Sequence, residues 1–243
     1  VPLARFVAQH VNDLGLPFKR YHIAPVWRGE NPQAGRYREF TQCDFDTIGT
    51  ESVVADIETI CVVQDLMVAL GLENFQIRIN SRQLLSGLLA KIDASEKSTA
   101  VLRALDKYEK LGEAVVVDEL KNQASLTAQQ IDAVLTLATA TGGNADVLDD
   151  LRRSFGDHPH ALAGIERLEA IVKSTSGRTA TETVRIDTRI ARGLDYYTGV
   201  VFETSLLDLP SIGSVCSGGR YDNLAGLYTK QHLPGIGGSL GLD

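Results

Sequence analysis

Hydrophobic and polar residues alternate along two neighbouring stretches near the start of the chain. In residues 21–28 one face carries Tyr21 and Trp27, and in residues 38–46 every second side chain is aromatic, amide or charged. Alternation with a period of two is typical of β-strands. The connecting stretch contains Asn31-Pro32, which favours a turn. The pattern predicts two strands joined by a charged loop.

Helical spacing of apolar residues predicts helices on either side of this hairpin. Apolar positions recur at intervals of three and four over residues 1–14 and 51–70, and Gly71 follows the second stretch as a stop signal. Residues 75–80 then alternate as a strand, and Ser81 is placed to cap another helix. Strands and helices that follow each other in this way indicate a mixed α/β (α+β) layer architecture.

The composition and the hydrophobic pattern of the sequence change in the middle of the chain. Residues 93–176 are rich in Ala, Leu and charged side chains, and strand patterns return only at 183–187 and 200–204. We therefore predict a helical inserted domain at 93–176, between two parts of one core at 1–92 and 177–243. The alternative is that these helices simply enlarge the core.

Composition narrows the classes of protein that the chain can represent. Of its 243 residues, 44% are hydrophobic and 23% charged, which is ordinary for a globular protein. No apolar run approaches the roughly 20 residues of a membrane helix. The net charge of −7, from 24 basic and 31 acidic residues, does not indicate a nucleic-acid-binding domain by itself. Cys43, Cys61 and Cys216 lack metal-type spacing and are expected to be reduced thiols.

The second predicted strand has a face that is too polar for a core. Its alternate positions are Arg38, Phe40, Gln42, Asp44 and Asp46. An aromatic ring, an amide and charged groups on one sheet face indicate a ligand-binding surface rather than a packed interior.

The same hairpin has the chemistry to bind a nucleotide and an amino acid. Its planar guanidinium groups can bind phosphate oxygens in a fork; they are Arg28, Arg36 and Arg38. Phe40 can stack on a base, Glu30 can accept from an exocyclic amine, and Asp46 can receive an ammonium group. The alternative is an exposed hairpin whose opposite charges pair with each other.

Two later segments also combine glycines with tyrosines. Residues 191–199 place Tyr196 and Tyr197 between glycines, and Tyr221 follows another pair of glycines. The tyrosines could equally be ordinary strand residues. Residues 235–238 could be a tight strand in a crowded sheet, where small side chains make room for neighbours.

Three ordered segments carry a resemblance to a known family. Residues 21–46 resemble motif 2 of the class II aminoacyl-tRNA synthetases, and Ala191-Arg-Gly-Leu-Asp-Tyr-Tyr-Thr-Gly199 is similar to the histidine-binding signature of the histidyl-tRNA synthetase family. Gly218-Gly-Arg-Tyr-Asp222, followed by Gly235-Ile-Gly-Gly-Ser-Leu-Gly241, resembles that family's approach to motif 3. The likeness covers nearly the whole chain. The form Gln42-Cys-Asp-Phe-Asp46 is more similar to the eukaryotic and archaeal branch than to the common bacterial one.

The resemblance implies both a fold and a function. The expected fold is an antiparallel sheet flanked by helices, with a helical insertion that contacts the tRNA acceptor arm. The expected activity is ATP-dependent activation of histidine and transfer to tRNA(His), with Mg²⁺ on the ATP phosphates. A cytoplasmic homodimer without membrane association is expected.

The resemblance also implies roles for individual residues. Those expected to bind ATP are Arg28, Glu30, Arg36 and Phe40. Those expected to bind histidine are Gln42, Asp46, Arg192, Tyr196, Tyr197 and Tyr221. Arg28 and Arg192 are the expected catalytic residues, and Arg192 would bridge the histidine carboxylate and the α-phosphate. The alternative for Arg192 is a salt bridge to Asp187 or Asp195.

A rival function remains open at this point. A catalytically silent relative could bind histidine as the regulatory subunit of a biosynthetic phosphoribosyltransferase, but such a protein needs none of the ATP-binding groups. A plain nucleotide-binding module leaves the paired tyrosines unexplained. The resembled family has a histidine-contacting stretch before the position of Val1 and a motif 3 arginine after that of Asp243. We therefore expect this stretch of chain alone to be a poor catalyst.

Overall fold

The computed structural model describes residues 2–29, 31–32, 37–190 and 196–243. Within these ranges the chain forms nine α-helices: α1 Pro2–His10, α2 Val53–Ala69, α3 Arg82–Lys91, α4 Ser98–Leu105, α5 Tyr108–Leu111, α6 Glu113–Asn122, α7 Ala128–Ala138, α8 Asn144–Phe155 and α9 Pro159–Thr175. The same ranges contain seven strands: β1 Phe18–Trp27, β2 Glu39–Ile48, β3 Phe75–Ser81, β4 Val184–Ile186, β5 Val200–Leu206, β6 Ser214–Arg220 and β7 Gly235–Gly241.

The strands form one sheet in the order β1-β2-β7-β6-β5-β3-β4. The pairs β1/β2, β2/β7 and β6/β7 are antiparallel. The predicted α/β class, with an antiparallel sheet flanked by helices, is confirmed. None of the helices in the described part of the chain has the length and apolar character needed to cross a bilayer.

Most predicted elements are present, with shifted ends. The strand predicted at 21–28 begins three residues earlier, at Phe18. The helix predicted at 1–14 ends at His10, because the apolar residues beyond it serve another purpose. Val11 and Leu14 pack outside the helix, against a small buried cluster that includes Val7 and Ile48.

One compact unit comprises Val1–Ile77, Ser174–Val184 and Phe202–Asp243. Helix α2 begins at its cap Ser52, whose hydroxyl accepts a hydrogen bond from the backbone N–H of Val54. The helix buries Ile60, Val63 and Met67 completely. Each such side chain stabilises the folded unit by about 1.5–3 kcal/mol through removal from water.

The second compact unit comprises Arg78–Lys173 and Arg185–Val201. Its core is built from aliphatic residues on successive helices, including Val101, Leu120, Val134, Leu151 and Ile165.

Polar contacts join the two segments of this second unit. The amide of Asn80 donates to the carbonyl oxygens of Thr188 and Ile190, at 3.0 and 2.9 Å. The unit begins before residue 93 and includes residues after 176, so its bounds differ from those of the predicted inserted domain. The assignment of 93–176 as a separate domain stays a prediction.

Candidate functional site

The antiparallel register places polar residues in two parallel rows on one face of the first unit. One row is Arg20, Asp46, Gly237 and Gly219, and the next is His22, Asp44, Ser239 and Ser217. Residues directly opposite each other on antiparallel strands present their side chains on the same face. Gln42 and Phe40 continue this face on β2, as the alternation predicted.

The carboxylate of Asp46 is bound on both of its oxygens. A guanidinium nitrogen of Arg20 lies 2.8 Å from one oxygen, and the hydroxyl of Tyr221 donates to the other at 2.5 Å. The Asp46 side chain is only 12% exposed. Burial raises the pKa of Asp46 above its ordinary value, while the hydrogen bond from Tyr221 and the charge of Arg20 oppose that rise.

A second hydrogen-bonded chain joins Gln42, one pair further along β2, to Ser239 and Asp44 of the neighbouring row. The amide nitrogen of Gln42 donates to the hydroxyl of Ser239, which donates to a carboxylate oxygen of Asp44 at 2.6 Å. With its nitrogen committed to Ser239, Gln42 offers its amide oxygen as an acceptor. The two rows together present acceptors that suit a ligand ammonium group.

Tyr221 is positioned by the residue that precedes it. Arg220 is 2% exposed, and its guanidinium donates to Asp56 at 2.8 Å, to Asp222 at 3.0 Å and to the carbonyl oxygen of Thr50 at 3.0 Å. The backbone N–H of Tyr221 donates to the carbonyl oxygen of Gly235 at 2.7 Å. These bonds hold the end of β6 so that the Tyr221 hydroxyl meets Asp46.

The glycines at 235–238 form part of strand β7, which resolves the alternative left open for this segment. They allow close approach of neighbouring groups. A Cβ on Gly235 would overlap the ring of Tyr221, and one on Gly237 would overlap the carboxylate of Asp46. Small residues therefore make space for the site on this face, while a Cβ on Gly238 would overlap Phe202.

Arg28 and Phe40 lie together at the far end of the same hairpin. The guanidinium carbon of Arg28 is 4.4 Å from the centre of the Phe40 ring, a cation–π arrangement. The backbone N–H of Arg28 donates to the carbonyl oxygen of Arg38 at 2.8 Å. Arg28 is exposed and Phe40 half-buried, so both can reach a ligand.

The paired tyrosines belong to the second unit. The rings of Tyr196 and Tyr197 contact each other with centres 4.4 Å apart and planes tilted by 53°, and Tyr196 is 46% exposed. Three predicted site residues lie outside the described residues: Glu30, Arg36 and Arg192.

Asp187 was one alternative partner of Arg192, and it has two other cationic neighbours. Arg189 donates to it at 2.8 and 2.9 Å, and Arg78 at 3.3 Å. Burial alone would raise the pKa of Asp187, but the hydrogen bonds and charge of Arg189 outweigh it and the pKa is lowered.

The cysteines show no sign of nucleophilic activation. Cys43 and Cys216 both pair across the sheet with Leu240, on the face opposite to the polar rows. Burial raises the pKa of Cys216 to about 12, so this thiol stays protonated.

Within the described ranges, no three His, Cys, Asp or Glu side chains converge as a metal site.

Three residues of the site were not found from the sequence: Arg20, Ser239 and Arg220. Arg20 could have been found from the sequence. If the strand alternation predicted for residues 21–28 is extended one residue back from Tyr21, Arg20 falls on the polar face. The contacts of Ser239 and Arg220 join distant parts of the chain, and no local pattern indicates them.

The comparisons with known proteins agree with this architecture. A family model described as histidyl-tRNA synthetase matches residues 1–243. A histidine–tRNA ligase of Rhodopirellula baltica is 59% identical over all of this chain and 55% of its own length, and one of Treponema denticola is 45% identical over all of this chain and 54% of its own length. The chain thus spans about half the length of these relatives.

Solved structures give the same picture. The histidyl-tRNA synthetase of Nostoc sp. PCC 7120 superimposes with a TM-score of 0.88 at 34% identity, covering 99% of this chain and 56% of that one. An antiparallel sheet flanked by helices, with this polar face, therefore defines a class II aminoacyl-tRNA synthetase fold. The chain belongs to the histidyl-tRNA synthetase family. The likeness of residues 42–46 to the eukaryotic and archaeal branch stays a prediction.

Proposed function

We propose that the protein activates histidine with ATP and transfers it to tRNA(His). The histidine carboxylate attacks the α-phosphate, pyrophosphate leaves, and the histidyl group passes to the terminal ribose of the tRNA. The observation that carries this proposal is the Asp46 carboxylate, which is bound on both oxygens and lies on the same face of β2 as Gln42. Family membership supplies the reaction class.

On the amino-acid side, each group has a simple task. Asp46 and the amide oxygen of Gln42 receive the ammonium group of histidine. Tyr221 lies beside Asp46, and by family resemblance we propose that Tyr196, Tyr197 and Tyr221 bind histidine. Polar pockets that pair with a ligand's polar atoms reject apolar analogues strongly, because an analogue leaves those groups without partners.

On the nucleotide side, Arg28 provides a fork for phosphate oxygens and Phe40 provides a ring for adenine. By family resemblance, Arg36 binds phosphate, Glu30 binds adenine, and Arg192 bridges the histidine carboxylate and the α-phosphate. Mg²⁺ brought in with ATP would neutralise part of the charge on the phosphates. Because the protein does little covalent work, rate comes from positioning and charge stabilisation.

A silent regulatory role is the second candidate. A structure described as an ATP phosphoribosyltransferase regulatory subunit/histidyl-tRNA synthetase from Bacillus halodurans C shares the fold at 23% identity and a TM-score of 0.84. A regulatory protein needs the histidine-binding groups but not the contact between Arg28 and Phe40. The presence of that pair beside the polar rows favours the enzyme.

Three further expectations belong to the same proposal. The helices of 93–176 form an inserted domain that contacts the acceptor arm of the tRNA. The protein is a homodimer, as expected from its family. It acts in the cytoplasm, where protein synthesis supplies its tRNA substrate.

The decisive experiment is ATP–pyrophosphate exchange by the complete gene product with each of the twenty amino acids. We expect exchange with histidine and with no other amino acid at comparable efficiency. Equal exchange with a second amino acid would refute the proposed specificity. Histidine binding without any exchange would favour the regulatory role.

A further inference from the structure

Arg20 occupies a position on β1 that the proposed reaction has not used. It lies directly across from Asp46 in the β1/β2 register, and its guanidinium nitrogen is 2.8 Å from Asp46 and 3.9 Å from Asp44. We propose that Arg20 is a positioning residue of the histidine site, which fixes Asp46 for the substrate ammonium group and balances the charge of Asp44. The inference rests on the proposed function.

The contacts of Arg20 are directed at the site rather than at the framework. The buried Arg220 binds two carboxylates and the backbone carbonyl of Thr50. Arg20 instead contacts the two aspartates of the polar face, and its Nε is buried without a hydrogen-bond partner among the described residues. Because the guanidinium of Arg20 contacts these two carboxylates, we infer that its main role is to orient Asp46 rather than to stabilise the fold.

The geometry leaves Asp46 in one orientation. Arg20 binds one carboxylate oxygen from β1, and Tyr221 binds the other from the end of β6. A carboxylate held from two sides cannot rotate freely, so its remaining lone pairs point in fixed directions. A ligand ammonium group then meets an acceptor that is already oriented, which reduces the entropy lost on binding.

Charge balance gives Arg20 a second task. Arg20, Asp44 and Asp46 together carry one net negative charge, which a substrate ammonium group neutralises. Without Arg20 the same cluster would carry two negative charges in a largely buried place, and proton uptake would relieve the repulsion. Among the residues that the structure describes, Arg20, Asp44 and Tyr221 face Asp46, and His22 lies next to Asp44 in the adjacent row.

The test compares Arg20→Leu and Arg20→Lys with a matched control in the complete gene product. The control is Lys19→Leu, which removes a neighbouring cation on the opposite face, where Lys19 pairs with Glu58 at 2.6 Å. We expect Arg20→Leu to raise the KM for histidine by about tenfold or more while the KM for ATP changes less than about twofold, because a buried charge loses its partner. Lys19→Leu should change neither constant by more than about twofold.

The pH profile separates positioning from simple loss of structure. Asp46 accepts only when ionised, and loss of Arg20 raises its pKa, so the acid limb of kcat/KM for histidine should move to higher pH in Arg20→Leu. Arg20→Lys keeps the cation and should restore the acid limb, with an intermediate KM because the ammonium has no planar fork.

Several outcomes would overturn the inference. An unchanged or lower KM for histidine in Arg20→Leu would mean that Arg20 is irrelevant or competes with the substrate. Equal increases in both KM values, with no shift in the acid limb, would indicate a structural role.

Calorimetric titration with histidine measures the effect of the Arg20 substitutions on histidine binding independently of catalysis. If the unsubstituted protein binds histidine but does not exchange pyrophosphate, the proposed function fails while the titration still measures the effect of Arg20. If the unsubstituted protein binds no histidine, both proposals fail.

Discussion

Arg28 and Phe40 are in contact with each other, although the proposed function assigns them to different parts of ATP. The guanidinium lies 4.4 Å from the ring centre, and Arg28 is exposed. An exposed arginine has many rotamers, and the aromatic face limits them. Under the proposed function, Phe40 stacks on the base and also holds the guanidinium of Arg28 near the phosphates.

We predict that Phe40→Ala weakens ATP binding while histidine binding changes less. Stacking on one base is worth about 1–3 kcal/mol, so the loss should be roughly tenfold to hundredfold. Calorimetry with each ligand measures the two effects. Trp27→Ala is the matched control, because Trp27 is 70% exposed on the opposite face. Unchanged ATP affinity in a folded Phe40→Ala protein would show that the ring is only a packing residue.

At the residue scale, the sequence predicted which face of a strand a side chain lies on, but it did not predict the hydrogen-bond partner of that side chain. A period of two is enough to place Gln42 and Asp46 on one side of a strand. Their partners are far away in the chain, since Tyr221 is 175 residues from Asp46 and Ser239 is 197 residues from Gln42. Such pairings depend on the sheet order, which local patterns do not contain.

Strand β7 is the element on which the shape of the polar face depends. It lies between β2 and β6, and its glycines leave room for side chains of the neighbouring strands. A Cβ at Gly237 would lie 2.5 Å from the carbonyl oxygen of Phe45 and would overlap the carboxylate of Asp46. Backbone cannot move aside as a flexible side chain does.

We predict that Gly237→Ala lowers both thermal stability and histidine affinity. Overpacking of this kind costs about 1–3 kcal/mol, and here it also displaces Asp46. Gly241→Ala is the control on the same strand, because a Cβ there meets nothing within 4 Å. Thermal unfolding and calorimetric titration measure the two properties. Equal behaviour of the two variants would contradict the assigned role of Gly237.

Elements were predicted well where their own sequence determines them. Ser81 caps α3 and Gly71, with a φ of +75°, follows the end of α2, as the sequence indicated. The end of α1 was missed because Val11 and Leu14 are apolar for tertiary packing rather than for helix formation. The segment at 235–238 stayed ambiguous because glycine has no strand preference of its own.

At the scale of the molecule, the chain passes between its two compact units within strands β3, β4 and β5 and near the end of helix α9. Residues 78–173 therefore do not contain all of the second unit. They lack Asp187, which pairs with Arg78, and the carbonyl groups that satisfy the buried amide of Asn80. This division was not predictable from composition, which changes near residue 93 rather than at 78.

We predict that a fragment of residues 78–201 is more stable than one of residues 78–173. Each buried polar group left without a partner costs about 1–3 kcal/mol, so the midpoint of thermal unfolding should fall by roughly 10 °C or more in the shorter fragment. Circular dichroism measures this midpoint. Asn80→Ala in the longer fragment is the control and should reproduce part of the loss. Equal midpoints for the two fragments would mean that residues 185–201 add nothing to this unit.

The place of β1 at one end of the strand order has a consequence for the motion of the backbone. Its ladder within the described residues runs to β2 alone, and such terminal strands open more readily than central ones. Arg20 joins this strand to Asp46 on β2 through a side-chain contact. If histidine binding strengthens that contact, it also protects the amide hydrogens of β1 from exchange with solvent. Because such coupling is reciprocal, a change that favours opening of β1 also lowers the affinity for histidine.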